Sequence, residues 1–273
     1  MGIINVTPDS FYAASRVQEE DALRSRVRDI LEQGGRIIDV GAYSTRPGAA
    51  EVTEAEELER LQWALPIIKD QVKDYDKAES VALISVDTYR AHVAEVCVSE
   101  LGADIINDVS GGTIEPDMLR VVAQTGAAYI LMHMRGTPQT MQQLTDYPEG
   151  VTSSVIRFFE QQLATLQQLA AQVGKPLGPI ILDPGYGFAK TLEQNYELMR
   201  GLDDIRAALP QYPVLVGISR KSMIYRLLHS DADSALNGTT VLNTYALLHG
   251  AAILRVHDVK EAYEAVRIAS LLQ

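Results

Sequence analysis

Eight short apolar runs recur along the 273-residue chain, and nearly every run ends in a polar or charged residue that precedes a helical pattern. Buried parallel strands read as continuous apolar runs, and each strand must return through a crossover helix. Eight such units of about 35 residues predict a (β/α)8 TIM barrel, an α/β fold that typically has about 250 residues. We therefore expect a single domain over residues 1–273. The runs cover residues 2–6, 37–41, 83–87, 105–108, 128–133, 179–183, 213–217 and 252–257.

The segments between the runs carry helix periodicity and helix-end signals. Thr53 with Glu56 predicts a capping box, and Asp258 with Glu261 predicts a second one near the end of the chain. The weakest helical pattern lies around Pro116, where we expect a short helix that has this proline in its first turn. These features support alternation of strand and helix throughout.

Composition agrees with a single-domain chain of enzyme size. With 47% apolar and 22% charged residues, it can bury a large core without disulfides or metals. The single cysteine, Cys97, lies on an apolar helix face, and we expect a buried structural thiol. No apolar stretch reaches about 18 residues and no leader pattern begins the chain, so we expect a cytoplasmic protein with no membrane partner. The net charge of -12 argues against a broad nucleic-acid surface.

Cations follow several predicted strands although the chain as a whole is acidic. In a (β/α)8 barrel, the residues that follow the strands gather on one rim. Guanidinium forks match phosphate and carboxylate oxygens, so this set favours an anionic ligand. The alternative is that one or two cations pair with rim acids such as Asp39 or Asp108. The cations are Arg46, Arg135, Arg220, Lys221, Arg255 and His257.

Hydrogen-bond acceptors share the predicted rim with these cations. Asp87, Asn107 and Asp183 could read a ring edge that presents several N–H donors and a carbonyl group. General acid or base work is also open to the carboxyl groups. Asp183 could instead organise the turn that its Pro184-Gly185 successors predict. We expect an anionic group and a polar heterocycle to bind side by side.

Common nucleotide and zinc motifs are absent from the sequence. It contains no GxxxxGK[ST] stretch, and Gly185 and Gly187 lack the third glycine of a dinucleotide loop. The five histidines show no zinc spacing, and we expect His92 and His249 to be helix residues without a special role. A magnesium ion held partly by substrate phosphates stays open, because it needs only one or two protein oxygens.

Eight longer segments occur at the predicted strands in their expected order. They are MGIINVTPDSF at 1–11, STRPG at 44–48, SVDT at 85–88, NDVSGG at 107–112, LMHMRG at 131–136, DPGYGFAK at 183–190, GISRKS at 217–222 and RVHDV at 255–259. Together these segments closely resemble the dihydropteroate synthase family of the folate pathway. The resemblance implies a transferase that joins 6-hydroxymethyl-7,8-dihydropterin diphosphate to 4-aminobenzoate, giving 7,8-dihydropteroate and diphosphate.

The resemblance also implies roles for individual residues, a Mg2+ ion bound by Asn5, and a homodimer formed through late helices. The implied pterin contacts are Asp87, Asn107, Asp183 and Lys221, in a slot shaped by Val109, Met132, Phe188 and Gly217. The implied diphosphate set is Thr45, Arg46, Arg255 and His257. The implied aminobenzoate subsite is Phe11, Pro47, Lys221 and Ser222. The residues expected to act in catalysis are Lys221, Arg255, His257 and Arg46.

Some positions depart from the family's pattern. The loop after Phe11 reads YAASR where many members have a Ser-Asp-Gly-Gly stretch. Ala42 and Tyr43 stand where Gly and Glu are usual. The chain also begins almost inside the first predicted strand, whereas relatives carry a preceding segment, so Met1 could be an internal methionine of a longer gene product.

Three alternative functions stay open. A barrel that presents methyltetrahydrofolate to a corrinoid protein shares the Asp and Asn pterin contacts. It needs no diphosphate cluster, so that alternative is opposed by Thr45, Arg46, Arg255 and His257. A non-catalytic paralogue could bind pterin in a regulatory or interaction role, although Asn5, Arg255 and Lys221 argue for catalysis. An unrelated barrel acting on a sugar phosphate is the third and weakest alternative.

Overall fold

The computed structural model describes residues 1–6, 16–43, 52–75 and 81–272, and in these residues each strand is followed by one or two helices. The strands are β1 (Gly2–Asn5), β2 (Ile37–Gly41), β3 (Leu83–Asp87), β4 (Ile105–Asp108), β5 (Ala128–Met132), β6 (Ile180–Asp183), β7 (Leu215–Val216) and β8 (Ile253–Leu254). The helices are α1 (Arg16–Glu32), α2 (Glu54–Tyr75), α3 (Ala91–Ser99), α4 (Asp117–Thr125), α5 (Val151–Val173), α6 (Leu192–Arg200), α7 (Leu202–Ala208), α8 (Ser222–Tyr225), α9 (Leu236–Leu248) and α10 (Val259–Ala269).

The strands of the described residues form a closed parallel barrel with two narrow seams. Strands β1 to β6 pair in chain order as one sheet, and β7 pairs with β8 as a second sheet. A single bridge between Leu182 and Val214 joins β6 to the chain entering β7, and a bridge between Gly2 and Val256 joins β1 to the chain leaving β8. The predicted (β/α)8 TIM barrel is confirmed.

The last two strands are shorter than their apolar runs predict. Strands β7 and β8 each contain two residues, but backbone pairing continues past them, because the Arg255 amide donates to Val216 O at 3.0 Å. The residues beyond these strands therefore stay aligned with the barrel wall, although they are no longer part of a regular ladder.

Side chains along each strand point alternately into the barrel and outward, and this alternation determines which residues lie at the base of the site. Apolar side chains of alternate residues, including Ile105, Ile181 and Leu215, cluster inside the lower barrel. Because residues two apart on a strand point to the same side, Asn107, Asp183 and Gly217 face the interior directly above them. The opposite strand faces pack against the helices in the main hydrophobic core.

Helix α5 illustrates how the outer layer attaches to the barrel. Val155, Phe159, Leu163 and Leu166 recur at helical spacing and are buried, so one face of α5 packs inward. Within the described ranges, we find no helix with both the length and the apolar character needed to span a membrane.

The predicted helix ends have mixed outcomes. The Thr53–Glu56 capping box is confirmed, since Glu56 accepts from the Thr53 amide at 2.8 Å and its own amide donates to the Thr53 hydroxyl at 3.3 Å. The capping box at Asp258 is wrong: its carboxylate makes no cap hydrogen bond and instead accepts from Arg220 at 2.8 and 2.9 Å. Helix α4 is short, as expected, and Pro116 is its N-cap residue.

The predicted buried thiol is also confirmed. Cys97 is fully buried on the inner face of α3, and burial raises the pKa of its thiol to about 12. A thiol with so high a pKa is inert at neutral pH, because the thiolate is the reactive form.

Candidate active site

Three polar side chains and Gly41 form a row around the C-terminal ends of the first four strands. In the strand register Asn5 is the partner of Gly41, Gly41 of Asp87, and Asp87 of Asn107. The four residues therefore lie at one height on the rim where TIM-barrel enzymes carry their chemistry.

Arg255 forms a clamp with two carboxylates of this region. Its Nε atom donates to Asp39 Oδ2 at 2.7 Å, and its Nη2 atom donates to Asp87 Oδ2 at 2.7 Å. Burial lowers the pKa of Arg255, but the two carboxylates outweigh that effect and hold it above its ordinary value. The alternative that a rim cation pairs with Asp39 is thus confirmed for Arg255. The pair itself lies within the candidate site.

Asp39 links the clamp to the neighbouring amide. It is fully buried, and its Oδ1 atom accepts from Asn107 Nδ2 at 3.2 Å. One carboxylate therefore orients both Arg255 and Asn107. Sequence reasoning named Asp39 only as an ion-pair partner and missed this central position.

Asp87 retains an unused acceptor. Its Oδ1 atom is buried and has no hydrogen-bond partner in the part of the chain that the structure describes. Burial raises the pKa of Asp87 to about 7, with Arg255 opposing the shift and Asp39 adding to it. A buried acceptor without a partner costs about 1–3 kcal/mol, so this atom is prepared to receive a donor from a ligand.

Asp183 combines the two roles considered for it. Its Oδ1 atom accepts from the Gly185 amide at 2.8 Å, which forms the predicted turn. Its Oδ2 atom faces the position of Gly217 after the neighbouring strand β7, because a Cβ atom at Gly217 would lie 3.9 Å from it. The turn therefore directs one carboxylate oxygen into the barrel mouth. Burial raises the pKa of Asp183, while the Lys221 ammonium opposes the shift.

Lys221 lies beside the loop that follows β6. Its Nζ atom donates to Tyr186 O at 2.6 Å and lies 4.7 Å from the centre of the Phe188 ring. Burial lowers the pKa of Lys221 to about 8, although the Asp183 carboxylate favours the charged form. The ammonium is thus positioned between a carbonyl, an aromatic face and the acidic side of the rim.

An apolar wall lies above the polar row. Val109, Met132 and Phe188 belong to a cluster that is separate from the main core and from the lower barrel. Side chains of this kind can enclose the faces of a flat ring while the polar row contacts its edge.

His257 follows β8, and Ser222 follows β7. The Ser219 hydroxyl oxygen is 3.0 Å from His257 Nδ1 and accepts from the His257 amide at 3.1 Å. Arg26 of α1 donates to His257 O at 2.8 Å. Ser222 is the first residue of α8, directly after Lys221.

The structure thus brings together most of the residues expected at the site. Two further cations are engaged elsewhere: Arg220 pairs with Asp258, and Arg135 donates to Asp146 O and lies over a tyrosine ring. Both cations thus have protein partners, and the expectation that they bind an anion at the rim stays a prediction. Phe11, Thr45, Arg46 and Pro47 lie outside the described residues.

A magnesium ion at this site would need ligands beyond the side chains that the structure describes. In the described ranges, no group of three His, Cys, Asp or Glu side chains could hold a metal ion. The exposed Asn5 reaches the rim, where a Cβ atom at Gly41 would lie 3.7 Å from Asn5 Oδ1 and 3.6 Å from Asp87 Cβ. One amide oxygen beside a carboxylate suits an ion that takes its other ligands from phosphates and water.

Known proteins resemble this chain over its whole length. The family described as pterin binding enzyme matches residues 1–257. A dihydropteroate synthase of Synechocystis sp. is 42% identical over 273 residues, which are 100% of this chain and 89% of that protein.

Solved structures agree with the sequence comparison. The dihydropteroate synthase of Clostridium difficile, solved in the presence of pteroic acid, has a TM-score of 0.85 at 33% identity, covering 100% of this chain and 95% of that one. The enzyme of Anaplasma phagocytophilum with bound 6-hydroxymethylpterin-monophosphate has a TM-score of 0.83 at 33% identity, with 100% and 98% coverage. The chain therefore belongs to the pterin-binding enzymes and, within that family, to the dihydropteroate synthases.

Proposed function

We propose that this chain carries out the dihydropteroate synthase reaction at the barrel rim. In that reaction 6-hydroxymethyl-7,8-dihydropterin diphosphate and 4-aminobenzoate give 7,8-dihydropteroate and diphosphate. The observation that carries the proposal is the buried Asp87 Oδ1 atom, which lacks a partner among the described residues next to the Arg255 clamp. An unused acceptor beside a cation matches a substrate that has ring N–H donors and an anionic tail.

The acceptors of the rim would hold the pterin. Asp87 and Asp183 would accept from ring nitrogens, Asn107 would contact the same edge, and Lys221 would donate to an acceptor of the ring. Val109, Met132, Phe188 and Gly217 would line the ring faces. The proposal is supported by the bound 6-hydroxymethylpterin-monophosphate of the Anaplasma enzyme. Pteroic acid, present with the Clostridium enzyme, contains both a pterin and an aminobenzoate group.

The cations would stabilise charge that develops as diphosphate leaves. The CH2 group is attached to an electron-rich ring, so carbon can become cationic before the amine attacks. Arg255 and His257 would bind the leaving oxygens, with Thr45 and Arg46 as further predicted contacts. An aromatic amine is already neutral at pH 7, so the reaction needs no strong general base.

A magnesium ion would be held by Asn5 and by the substrate's phosphate oxygens. When bound, such an ion neutralises charge on the leaving diphosphate. The predicted aminobenzoate subsite consists of Phe11, Pro47, Lys221 and Ser222. The adjacency of Lys221 and Ser222 at the start of α8 supports this subsite.

The test is a reconstituted reaction. The purified protein is given pterin diphosphate and magnesium, with and without 4-aminobenzoate, and diphosphate release and dihydropteroate mass are measured. Product that depends on both substrates supports the proposal. Pterin binding without product would favour a carrier barrel or a regulatory paralogue, and absence of pterin binding would favour a sugar-phosphate enzyme.

The role of Arg255 has its own test. Replacing Arg255 by glutamine removes the guanidinium charge from the leaving group, so the rate of C–O cleavage should fall by about 10²-fold or more. Single-turnover measurements separate this step from binding. Normal turnover in the variant would contradict the assignment.

We also propose a homodimer that acts in the cytoplasm on small-molecule substrates. Helices α9 and α10 pack against each other and expose apolar side chains, among them Val241 at 59% and Ile268 at 61% of full exposure. Exposed apolar side chains on two neighbouring helices favour self-association in a two-fold arrangement. Sedimentation of wild type and Ile268→Glu should give a dimer and a monomer, and a monomeric wild type would overturn this proposal.

A further inference from the structure

A second lysine lies beneath the loop that carries Asp183 and Phe188. Lys190 is only 4% exposed, and its Nζ atom contacts three atoms: Gly185 O at 2.9 Å, Phe188 O at 3.0 Å and His133 Nδ1 at 3.0 Å. Both carbonyl groups can only accept, so Nζ donates to them whether it is an ammonium or an amine. A side chain of this length in full burial is exceptional without such partners.

The loop that Lys190 contacts has a backbone conformation that contacts from other residues must stabilise. Gly185, Gly187 and Ala189 all have positive φ, at 70°, 83° and 50°, and Ala189 carries a Cβ atom that disfavours this region. Gly185 also lies so close to β5 that a Cβ atom there would be 2.0 Å from His133 O. The loop therefore follows a tight path that its own residue preferences do not fully specify.

This path sets three features of the pterin slot. The loop begins at Asp183 and ends just after Phe188, whose ring is part of the slot. Between these residues, Tyr186 O accepts a hydrogen bond from Lys221 at 2.6 Å. Lys190 Nζ contacts the carbonyl groups of residues 185 and 188, which flank Tyr186 on either side. Movement of these carbonyl groups would shift the acceptor of Lys221 and the aromatic wall together.

We propose that Lys190 is a positioning residue of the pterin slot, which fixes the loop of residues 183–189 through Gly185 O and Phe188 O with His133 as its buried third partner. The proposal rests on the proposed function as far as the pterin is concerned. Lys190 does not contact the pterin ring. It acts by fixing the positions of Asp183, Phe188 and the carbonyl group that accepts from Lys221.

The test compares Lys190→Met, which keeps the length of the side chain but removes its donors, with Lys175→Met. Lys175 is a matched control, because its Nζ atom donates to one backbone carbonyl, Gln124 O, at 2.9 Å on the surface. One measurement is hydrogen exchange at the Gly187 and Phe188 amides. The Gly187 amide donates to Asn195 Oδ1 at 2.6 Å, and the Phe188 amide donates to Gly185 O at 3.1 Å. The other is the Kd of 6-hydroxymethylpterin by calorimetry.

Lys190→Met should speed exchange at these two amides and raise the pterin Kd, each by about tenfold or more, as expected for lost hydrogen bonds to a buried amine. Exchange at Gly112, whose amide donates to Asp108 at 2.6 Å in another loop, should stay unchanged. Lys175→Met should behave as wild type. A lower melting temperature with unchanged loop exchange and unchanged pterin Kd would overturn the proposal.

A second pair of variants covers the case in which Lys190→Met does not fold. His133→Asn keeps an acceptor near the position of Nδ1, whereas His133→Leu removes it. Faster loop exchange and weaker pterin binding in His133→Leu alone would support the proposal, and equal behaviour of both variants would contradict it. Wild-type protein without pterin affinity would overturn the proposed function, while the exchange result would still decide whether Lys190 holds the loop.

Discussion

Gly217 lies beside Asp183 at the barrel mouth, just after the neighbouring strand β7, and a Cβ atom at position 217 would lie 3.9 Å from Asp183 Oδ2 and 3.7 Å from Arg255 Cβ. These are ordinary contact distances, so Gly217→Ala should fold normally. The methyl group would, however, occupy the slot proposed for the pterin, and overlap of this kind costs about 1–3 kcal/mol. We expect an unchanged melting temperature and a pterin Kd about tenfold higher, measured by calorimetry.

Gly185→Ala is the contrasting variant for that prediction. Its Cβ atom would meet His133 O at 2.0 Å with the backbone at φ 70°, so this change should destabilise the fold itself. If Gly217→Ala bound pterin as tightly as wild type, the ring would have to lie elsewhere.

Removal of the Asp39 charge should affect stability and activity together. In Asp39→Asn, Arg255 loses one of its two carboxylate partners, and the new amide can accept through only one oxygen. Breaking a buried ion pair costs about 3–5 kcal/mol, so urea unfolding should show a loss of this order. We also expect kcat/KM to fall by about 10²-fold, because the guanidinium is no longer oriented. Asp203→Asn, which alters an exposed pair with His249, is the control.

The pH dependence of kcat/KM for the pterin substrate should be bell-shaped. The pKa of Asp87 is about 7, so below that pH the carboxyl group takes up a proton and loses an acceptor. The pKa of Lys221 is about 8, so above that pH the side chain loses its proton and its charge. Activity should therefore decline on both sides of the interval between them.

Lys221→Arg tests the assignment of the basic limb. A guanidinium stays protonated throughout the accessible range, so the decline above about pH 8 should disappear even if the maximum rate is lower. A basic limb that persists unchanged in this variant would assign it to another group. Lys175→Arg, on the surface, should retain the wild-type profile.

Tyr129→Phe should reduce stability without changing the chemistry. The Tyr129 hydroxyl donates to the buried Asp108 at 2.8 Å, and Asp108 also accepts from Ser110 and Gly112. Loss of one donor to a buried carboxylate should lower the free energy of unfolding by about 1–3 kcal/mol. Chemical denaturation measures this, with the exposed Tyr263→Phe as control. An equal loss in both variants would argue against a specific role for the buried bond.

The strands and much of the rim were predictable because a buried strand leaves a local mark in the sequence. Each apolar run ends where the chain leaves the barrel interior, and alternation then decides which terminal residue faces inward. Asp87, Asn107 and Asp183 follow from this rule without knowledge of any partner. The roles of these residues in substrate binding remain predictions.

The partners of the cations were not predictable in the same way. Arg220 and Arg255 both follow apolar runs, yet Arg220 has φ 54° and reaches Asp258, whereas Arg255 reaches the inner carboxylates. This difference arises from turn geometry and from competition between neighbours distant in sequence. Asp258 failed as a cap for the same reason.

Lys190 shows the limit of local pattern most clearly. A lysine shortly before a helix reads as a solvated charge, since Lys is almost never fully buried without partners. Its burial depends on carbonyl groups that become available only when the loop after β6 folds back over β5. No residue spacing in the sequence predicts these contacts of Lys190.

The six-strand sheet and the two-strand sheet contribute side chains of opposite charge to the barrel mouth. Among the described residues, the inward-facing carboxylates of Asp39, Asp87 and Asp183 belong to the larger arc, whereas Lys221 and Arg255 follow the two strands of the smaller arc. The Arg255 guanidinium reaches from the smaller arc to Asp39 and Asp87, so an ion pair holds the two arcs together at the narrow seam between β8 and β1. The same contacts that prepare the site therefore also close the barrel where its backbone pairing is thinnest.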